Sequence, residues 1–333
     1  MGTDGASKAV VLWAVGGNFS VTVAKFVGWC VTRSPSLLAE SLHSAADTAN
    51  QALLLVGIRH SSLGPTEAYP WGQASARYLW NLISAMGIFF VGFGVTTYHG
   101  VASLIHPHAP DTENAVLVFG ILVFSFVVEC YVLLKAYRGV REIQGNRGLW
   151  EFITTGDDPT AVAVLLEDSI AVLGVLLAAA GYFISIRTGS GIPDAVASTV
   201  IGGLLGVMAL VLAYANSRLL LGAAATPDEV NAIRSFLERQ SSVEKVFVLK
   251  TRIVGPGRIR IAAEVEFHGA AMIDRDQMER DAATVRGNPS KLPSVLADTA
   301  ERMVRIVGKE INRIERDLCS EFPSVVAVEL EVN

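Results

Sequence analysis

The chain has 333 residues, of which 51% are hydrophobic and 18% are charged, and its mean hydropathy is +0.43. Soluble domains carry about 25% charged residues, so a positive hydropathy over this length predicts several membrane spans and not one apolar core. The formal net charge of −5 argues against a nucleic-acid partner, which selects basic surfaces. The three cysteines are scattered and form no CxxC, which excludes a disulfide framework and a structural zinc site as organising features.

Segments long enough to cross a bilayer fill the first two thirds of the sequence. A transmembrane helix needs about 20 apolar residues, and six segments meet this length, near 9–32, 36–58, 79–104, 113–137, 160–186 and 193–220. Charged residues and ordinary periodicity return after Thr226. We therefore expect an all-α membrane domain of six transmembrane helices over residues 1–222, in contact with the lipid bilayer, and a cytoplasmic domain over residues 223–333.

The distribution of Lys and Arg predicts the orientation of these spans. Threading the six spans in order places most of the basic residues on one side: Lys8, Arg59, Arg77, Lys135, Arg138, Arg141, Arg147 and Arg218. The opposite side receives only Arg33 and Arg187. By the positive-inside rule, both termini are expected in the cytoplasm. The compact termini favour a bacterial-type inner membrane, with an organelle membrane as the alternative.

The C-terminal region reads as helix, strand, strand, helix, strand, an order that predicts a small α+β ferredoxin-like domain. Its first helix begins with a Thr226 cap and a proline in the first turn. The segments "KVFVLKTRIV" and "RIRIAAEVEF" alternate apolar and polar residues around a Gly-Pro-Gly turn, as in a β-hairpin. The charged stretch 270–293 is expected to be a mobile insertion.

The second span carries polar residues inside apolar sequence. Glu40, His43, Asp47 and either Asn50 or Gln51 lie three and four residues apart, so they share one helix face. A charge at mid-bilayer costs at least ~2.5–3.5 kcal/mol, and each such group therefore needs a role. Imidazole and carboxylate groups are zinc ligands, so His43 and Asp47 are candidate ligands of an ion held between helices.

Two other spans supply carboxylates at a similar depth. The fifth span contains the adjacent pair Glu167 and Asp168, and the fourth contains Glu129. With a rise of ~1.5 Å per residue, Asp47 lies roughly 16 Å and Asp168 roughly 12 Å from the cytoplasmic ends of their spans. The sequence thus predicts an ion site formed by His43, Asp47 and Asp168.

Several of these polar residues have alternative interpretations. His43 could instead donate a hydrogen bond that packs two helices. Glu129 fits either a proton path that supports the site or an interhelical hydrogen bond, and Asn50 is assigned to packing or to support of the ligands. Glu40 matches Lys25 of the first span in depth, which predicts a structural ion pair, with direct metal ligation as the alternative.

The wording of three segments resembles one transporter family. These are "SPSLLAESLHSAADTANQALLLVGIRHS", "YPWGQASARYLWNLISAMGIFFVG" and "DPTAVAVLLEDSIAVLG", and they resemble the zinc-transporter-nine-like branch of the cation diffusion facilitator (cation efflux) family. The resemblance implies a homodimeric exporter, not an enzyme, that exchanges a divalent metal ion, usually Zn²⁺, for protons. Zn²⁺ would be the transported substrate, with no cofactor, and the family's metal position corresponds to His43, Asp47 and Asp168.

The sequence departs from the family pattern at the site itself. Val164 occupies the position of a usual fifth-span ligand, so the tetrahedral set is one ligand short, and Glu167, Glu40, Asn50 or a water could complete it. A site of one imidazole and several carboxylates also suits Mn²⁺, Fe²⁺ or Co²⁺. An intramembrane metalloenzyme is an alternative of another class, against which the sequence contains no HExxH.

The family's other two metal positions are altered as well. After the second span, "YPWGQAS" replaces the usual histidine-containing loop. In the C-terminal domain, Ala262, Glu329 and Glu331 stand where histidine and aspartate ligands are common. We therefore expect no metal site in that loop and expect the C-terminal domain to be a poor metal sensor.

Overall fold

The computed structural model of the chain describes residues 19–144, 148 and 159–333. The beginning of the predicted first span lies outside the described residues, as do Lys8 and Arg147. The chain divides into two compact units, Met1–Leu221 and Gly222–Asn333.

The first unit is built from helices only, within the part that the structure describes. They are α1 (Phe19–Thr32), α2 (Pro35–Ser61), α3 (Ala76–Ile105), α4 (Ala115–Gln144), α5 (Pro159–Thr188) and α6 (Ile192–Leu221). Helix α2 begins where it does because the Ser34 side chain accepts a hydrogen bond from the Leu37 amide and Pro35 occupies the first turn. Helix α3 contains a π-helical segment, Ile88–Val95.

Four of these helices, α3 to α6, are long and apolar enough to cross a membrane. Helix α2 has 27 residues, which is sufficient in length, but its polar face lowers its hydropathy. Large apolar side chains such as Phe90, Tyr98, Val116 and Val123 are exposed on the outer surface of the unit. This arrangement, apolar outside and partly polar inside, is that of a helical membrane domain, which confirms the prediction of an integral membrane protein.

Helix α6 packs closely against α3. A Cβ atom on Gly202 would lie 2.6 Å from the Thr97 hydroxyl oxygen, and one on Gly206 would lie 2.8 Å from the Phe93 ring. Larger side chains are therefore excluded from this face, and the small residues permit the short distance between the helix backbones. The apolar core of the unit continues from this contact through Leu205 to Leu37 of α2.

The second unit contains a three-stranded sheet covered by helices. Its elements are α7 (Pro227–Glu238), β1 (Val243–Gly255), β2 (Arg258–Phe267), α8 (Arg275–Gly287), α9 (Leu292–Glu321) and β3 (Val325–Val332). Strands β1 and β2 are antiparallel, β2 and β3 are parallel, and the order is β1-β2-β3. Ile261 and Val265 of β2 pack with Leu318 of α9 in a buried core. The predicted small C-terminal domain with a sheet is thus present.

The charged segment 270–293 contains a helix. Asp274 caps α8 by accepting a hydrogen bond from the Gln277 amide, and Asp281 forms an ion pair with Arg302 of α9. The cap and the ion pair are local contacts of a segment whose composition predicts a mobile insertion. The expected mobility of this segment stays a prediction.

Candidate metal centre

The polar face of α2 points into the first unit. Glu40, His43 and Asn50 are buried, with 0%, 1% and 4% of their surface exposed, and Asp47 is half-buried. These residues share a face because their spacing matches the helical repeat. The row of polar groups predicted from the spacing on α2 therefore lies inside the helix bundle.

His43 and Asp47 contact each other and carry buried polar atoms without a hydrogen-bond partner in the described part of the chain. The His43 Nε2 atom lies 3.4 Å from Asp47 Oδ2. Both ring nitrogens of His43 and the Oδ1 atom of Asp47 are buried, and none makes a hydrogen bond within the described residues. An unsatisfied buried polar group costs about 1–3 kcal/mol, so such groups are rare and call for an explanation. Binding of a ligand is one.

Asp47 shares a small cavity with carboxylates of two other helices. Asp168 of α5, Glu129 of α4 and Ser44 of α2 line it together with Asp47, and its volume is about 20 Å³. This volume is sufficient for one water-sized group. The Oδ2 atom of Asp168 is also buried and without a hydrogen-bond partner in the described residues. The structure thus brings Asp47, Asp168 and Glu129 together.

The carboxylates are near one another but do not form a finished metal site. Within residues 19–144, 148 and 159–333, no three His, Cys, Asp or Glu side chains converge closely enough to ligate one ion. Ligation by His43, Asp47 and Asp168 therefore requires these side chains to move inward. The apolar Val164 stands one turn before Asp168 on α5, and the expected incompleteness of the ligand set stays a prediction.

Glu167 is held by a chain of hydrogen bonds that joins three helices. The Asn50 side-chain amide donates to Glu167 Oε1 over 2.5 Å, and the Ser84 hydroxyl of α3 donates to Asn50 Oδ1 over 2.5 Å. Asn50 lies three residues after Asp47, so Glu167 faces α2 just beyond the His43–Asp47 pair. This places Asn50 as a support of a neighbouring carboxylate, and ligation by Glu167 stays a prediction.

Lys25 of α1 forms a fully buried ion-pair cluster beside the cavity. Its Nζ atom donates to Glu40 Oε2 over 2.8 Å, to Ser44 Oγ over 3.0 Å and to Glu129 Oε1 over 2.6 Å. Gly174 of α5 lies against Glu40 Oε1 at a distance that excludes a Cβ atom. The ion pair between Lys25 and Glu40 agrees with the sequence, whereas the bond from Lys25 to Glu129 is a contact that sequence reasoning missed. Its signal was a lysine at the depth of the acidic cluster.

A larger cavity of about 450 Å³ lies at the other end of the helices, where the α1–α2, α3–α4 and α5–α6 connections meet. His99, His108 and Asp194 are among its lining residues. Asp194 is buried and accepts hydrogen bonds from the hydroxyl groups of Ser34 and Ser36. These bonds tie the start of α6 to the start of α2 and give Asp194 a structural role.

The altered ligand positions of the second unit lie on its sheet. Ala262 of β2 is paired in register with Glu329 of β3, and Glu329 forms a partly exposed ion pair with Arg260. The pair lies at the sheet surface, where an exposed ion pair contributes about 0–1 kcal/mol.

Comparison with known proteins identifies relatives over almost the whole chain. A family model described as the cation efflux transmembrane domain matches residues 11–221. Metal tolerance protein C4 of Arabidopsis thaliana is 34% identical over 99% of this chain and 74% of its own length. The proteins named proton-coupled zinc antiporter SLC30A9, mitochondrial, of mouse and human are 34% identical over 99% and 92% of this chain. The chain spans only 61% and 55% of their length.

These relatives contradict the expected location. The bacterial-type inner membrane was inferred from the compact termini, but the relatives are plant and animal proteins, and the mammalian ones are named mitochondrial. The relatives point to a eukaryotic organellar membrane, so the expectation of a bacterial-type membrane is wrong. The compactness of a chain does not indicate its membrane, because receptors recognise short targeting segments. The family match and the identity over nearly the whole chain lead to one conclusion: the chain belongs to the cation efflux family.

Proposed function

We propose that this protein is a transporter that exchanges a divalent metal ion, with Zn²⁺ as the first candidate, for protons. The observation that carries the proposal is the set of buried, unpartnered polar atoms on His43, Asp47 and Asp168. These atoms lie on α2 and α5, inside a domain whose helices face lipid. The printed names of the mammalian relatives, proton-coupled zinc antiporters, support the same activity.

In this proposal six helices, α1 to α6, cross the bilayer and the metal ion binds between α2 and α5. His43, Asp47 and Asp168 are the ligands, with Glu167 and Glu40 as further candidates. Asn50 orients Glu167, and Glu129 lies beside the ligands at the cavity. The membrane is that of a eukaryotic organelle, with the mitochondrion favoured by the names of the mammalian relatives.

Competition between metal and protons provides the coupling. A metal ion requires neutral imidazole and ionised carboxylate groups, so each bound proton displaces it. Free imidazole titrates near pH 6.5, inside the physiological range. Rocking of helices about a site in the middle of the membrane would expose it to one side and then to the other. Protons that bind on the acidic side release the metal, and their loss on the other side restores the site.

The second unit is proposed to be a ferredoxin-like dimerisation domain that joins two copies of the chain. The mixed sheet and covering helices support this assignment. A transporter of Mn²⁺, Fe²⁺ or Co²⁺ is the second candidate, because carboxylates outnumber imidazoles at the site. The metalloenzyme reading is set aside, since the named relatives include antiporters.

The test is Zn²⁺ flux in sealed vesicles with an imposed pH gradient. Wild type, Asp47→Ala and Asp168→Ala are compared, with Glu329→Ala in the second unit as the matched carboxylate control. We expect gradient-driven zinc uptake that both membrane substitutions abolish and the control leaves unchanged. Uptake of Mn²⁺ or Fe²⁺ without zinc would favour the second candidate. No metal uptake at all would overturn the transport proposal.

A further inference from the structure

Glu129 belongs to two groups of side chains at once. Its Oε1 atom accepts the 2.6 Å hydrogen bond from Lys25, while its Oε2 atom is buried and accepts none within the described residues. The same side chain lines the cavity that Asp47 and Asp168 share. One oxygen is therefore committed to an ammonium group, and the other stands beside the candidate metal ligands without a partner.

The candidate ligand set lacks one member that Glu129 could supply. Structural zinc sites are four-coordinate, whereas catalytic sites have three protein ligands and an open fourth position. His43, Asp47 and Asp168 provide three protein ligands, and Val164 cannot provide a fourth. Glu129 is a carboxylate at the wall of the same cavity. Its chemistry suits the open position, but its direction is set by Lys25.

We propose that Lys25 is a positioning residue that withholds Glu129 from the transported metal ion. This inference rests on the proposed function. The buried ammonium group binds Glu40 and Glu129 together, and charge-assisted hydrogen bonds of this kind are short and strong. Lys25 thereby keeps the metal set one protein ligand short. An incomplete set binds the ion loosely enough for protons to displace it, which a transporter needs and a storage site does not.

The test removes Lys25 together with Glu40, so that Glu129 is the one carboxylate of the ion-pair cluster that loses its partner. In the double variant Lys25→Met/Glu40→Gln, the ammonium group and one of its carboxylates disappear together, and Glu129 is free to turn toward Asp47. The Kd for Zn²⁺ of the purified full chain is measured by titration calorimetry, and KM and kcat are measured by flux. We expect the Kd to fall at least about tenfold, with KM and kcat both lower because release becomes slow.

Two controls separate withholding from a general effect on the fold. Adding Glu129→Gln to the double variant should return the Kd to the wild-type value, since the extra ligand is lost. Lys25→Arg keeps the positive charge and should leave the Kd unchanged. If the double variant does not fold, Lys25→Gln/Glu40→Gln keeps polar groups at both positions and serves the same comparison.

Two results would overturn the inference. An unchanged Kd in a folded double variant would mean that Lys25 only stabilises the bundle. Loss of affinity in Glu129→Gln alone, as large as in Asp47→Ala, would mean that Glu129 already ligates the metal ion. Failure of the proposed function is distinguishable from both, since it would appear as absence of flux in the wild type while the affinity comparison still holds.

Discussion

Helix α2 carries two interleaved polar regions, Glu40 with Ser44 and His43 with Asp47, that differ in their hydrogen-bond partners. Glu40 and Ser44 accept hydrogen bonds from the Lys25 ammonium group, which makes three such bonds. His43 and Asp47, each three residues further along, contact each other at 3.4 Å and leave buried atoms without partners in the described residues. Burial alone therefore does not mark a functional residue. The difference lies in the counter-charge: Glu40 is paired with the Lys25 ammonium group although its Oε1 atom has no hydrogen-bond partner in the described residues, whereas both ring nitrogens of His43 lack one there.

The largest expected effect is a difference in the free energy of unfolding between variants of these two regions. Lys25→Met should destabilise the fold by about 3–5 kcal/mol, because it leaves the buried Glu40 and Glu129 without their counter-charge. Asp47→Asn should change stability by less than about 1 kcal/mol, since Asp47 has few bonds to lose. The midpoints of denaturant unfolding in detergent give the comparison. Equal losses for the two variants would contradict the division of α2 into a structural and a binding region.

A second effect should appear only at the binding region. A ligand present at 100 times its Kd stabilises the folded state by about 2.7 kcal/mol. Zn²⁺ should therefore raise the melting temperature of the wild type and of Gly120→Ala, because the space around Gly120 of α4 is open and the residue lies outside the ligand set. The rise should vanish in Asp47→Asn and Asp168→Asn. A shift that survives in both of these variants would place the zinc site elsewhere.

A smaller effect is expected where Asn50 joins the two helices of the site. Asn50→Leu removes the donor to Glu167 and the acceptor of Ser84, and we expect a loss of about 1–2 kcal/mol. Ser84→Ala removes only one bond and serves as the milder control. Thermal unfolding of both variants measures the difference. If Asn50→Leu is as stable as Ser84→Ala, the bond to Glu167 contributes nothing and Glu167 is free for another role.

The smallest effect on stability is expected at a partly exposed ion pair, Glu310 with Arg313, in contrast to the buried pair of Lys25 and Glu40. In the second unit, Arg313 lies beside Glu310 and holds the pKa of that carboxyl below its usual range, with a further hydrogen bond from Ser242. A lowered pKa in the folded state adds stability that is complete above the usual Glu value near 4.3 and is lost as the pH falls through the folded value. Glu310→Gln should therefore cost less than about 1 kcal/mol at pH 7.

The same variant gives the expected pH dependence. The difference between Glu310→Gln and wild type should shrink as the solution is acidified below about pH 4. Hydrogen exchange of peptides from α9 reports the local stability of this unit. A difference that grows on acidification would have the wrong sign and would contradict the role of Arg313.

The sequence predicted the elements well because their signals are local. Hydropathy identified the apolar helices α3 to α6, and the spacing of Glu40, His43 and Asp47 identified the polar face of α2. The Gly-Pro-Gly turn identified the β1–β2 hairpin. At 270–293 the structure adds helix α8, with the Asp274 cap and the ion pair from Asp281 to Arg302, which composition did not predict, while the mobility expected there stays a prediction.

By itself, the sequence determined which side chains must be buried and on which helix face they lie, because helix geometry follows from the chain. Only the tertiary structure decided which donor each carboxylate binds. Lys25 and Glu129 are 104 residues apart, and Asn50 and Glu167 are 117 apart, so no local pattern links them. Helix packing brings them within hydrogen-bonding distance. In a bundle with little water, the nearest donor then fixes which carboxylates are paired and which stay available to a metal ion.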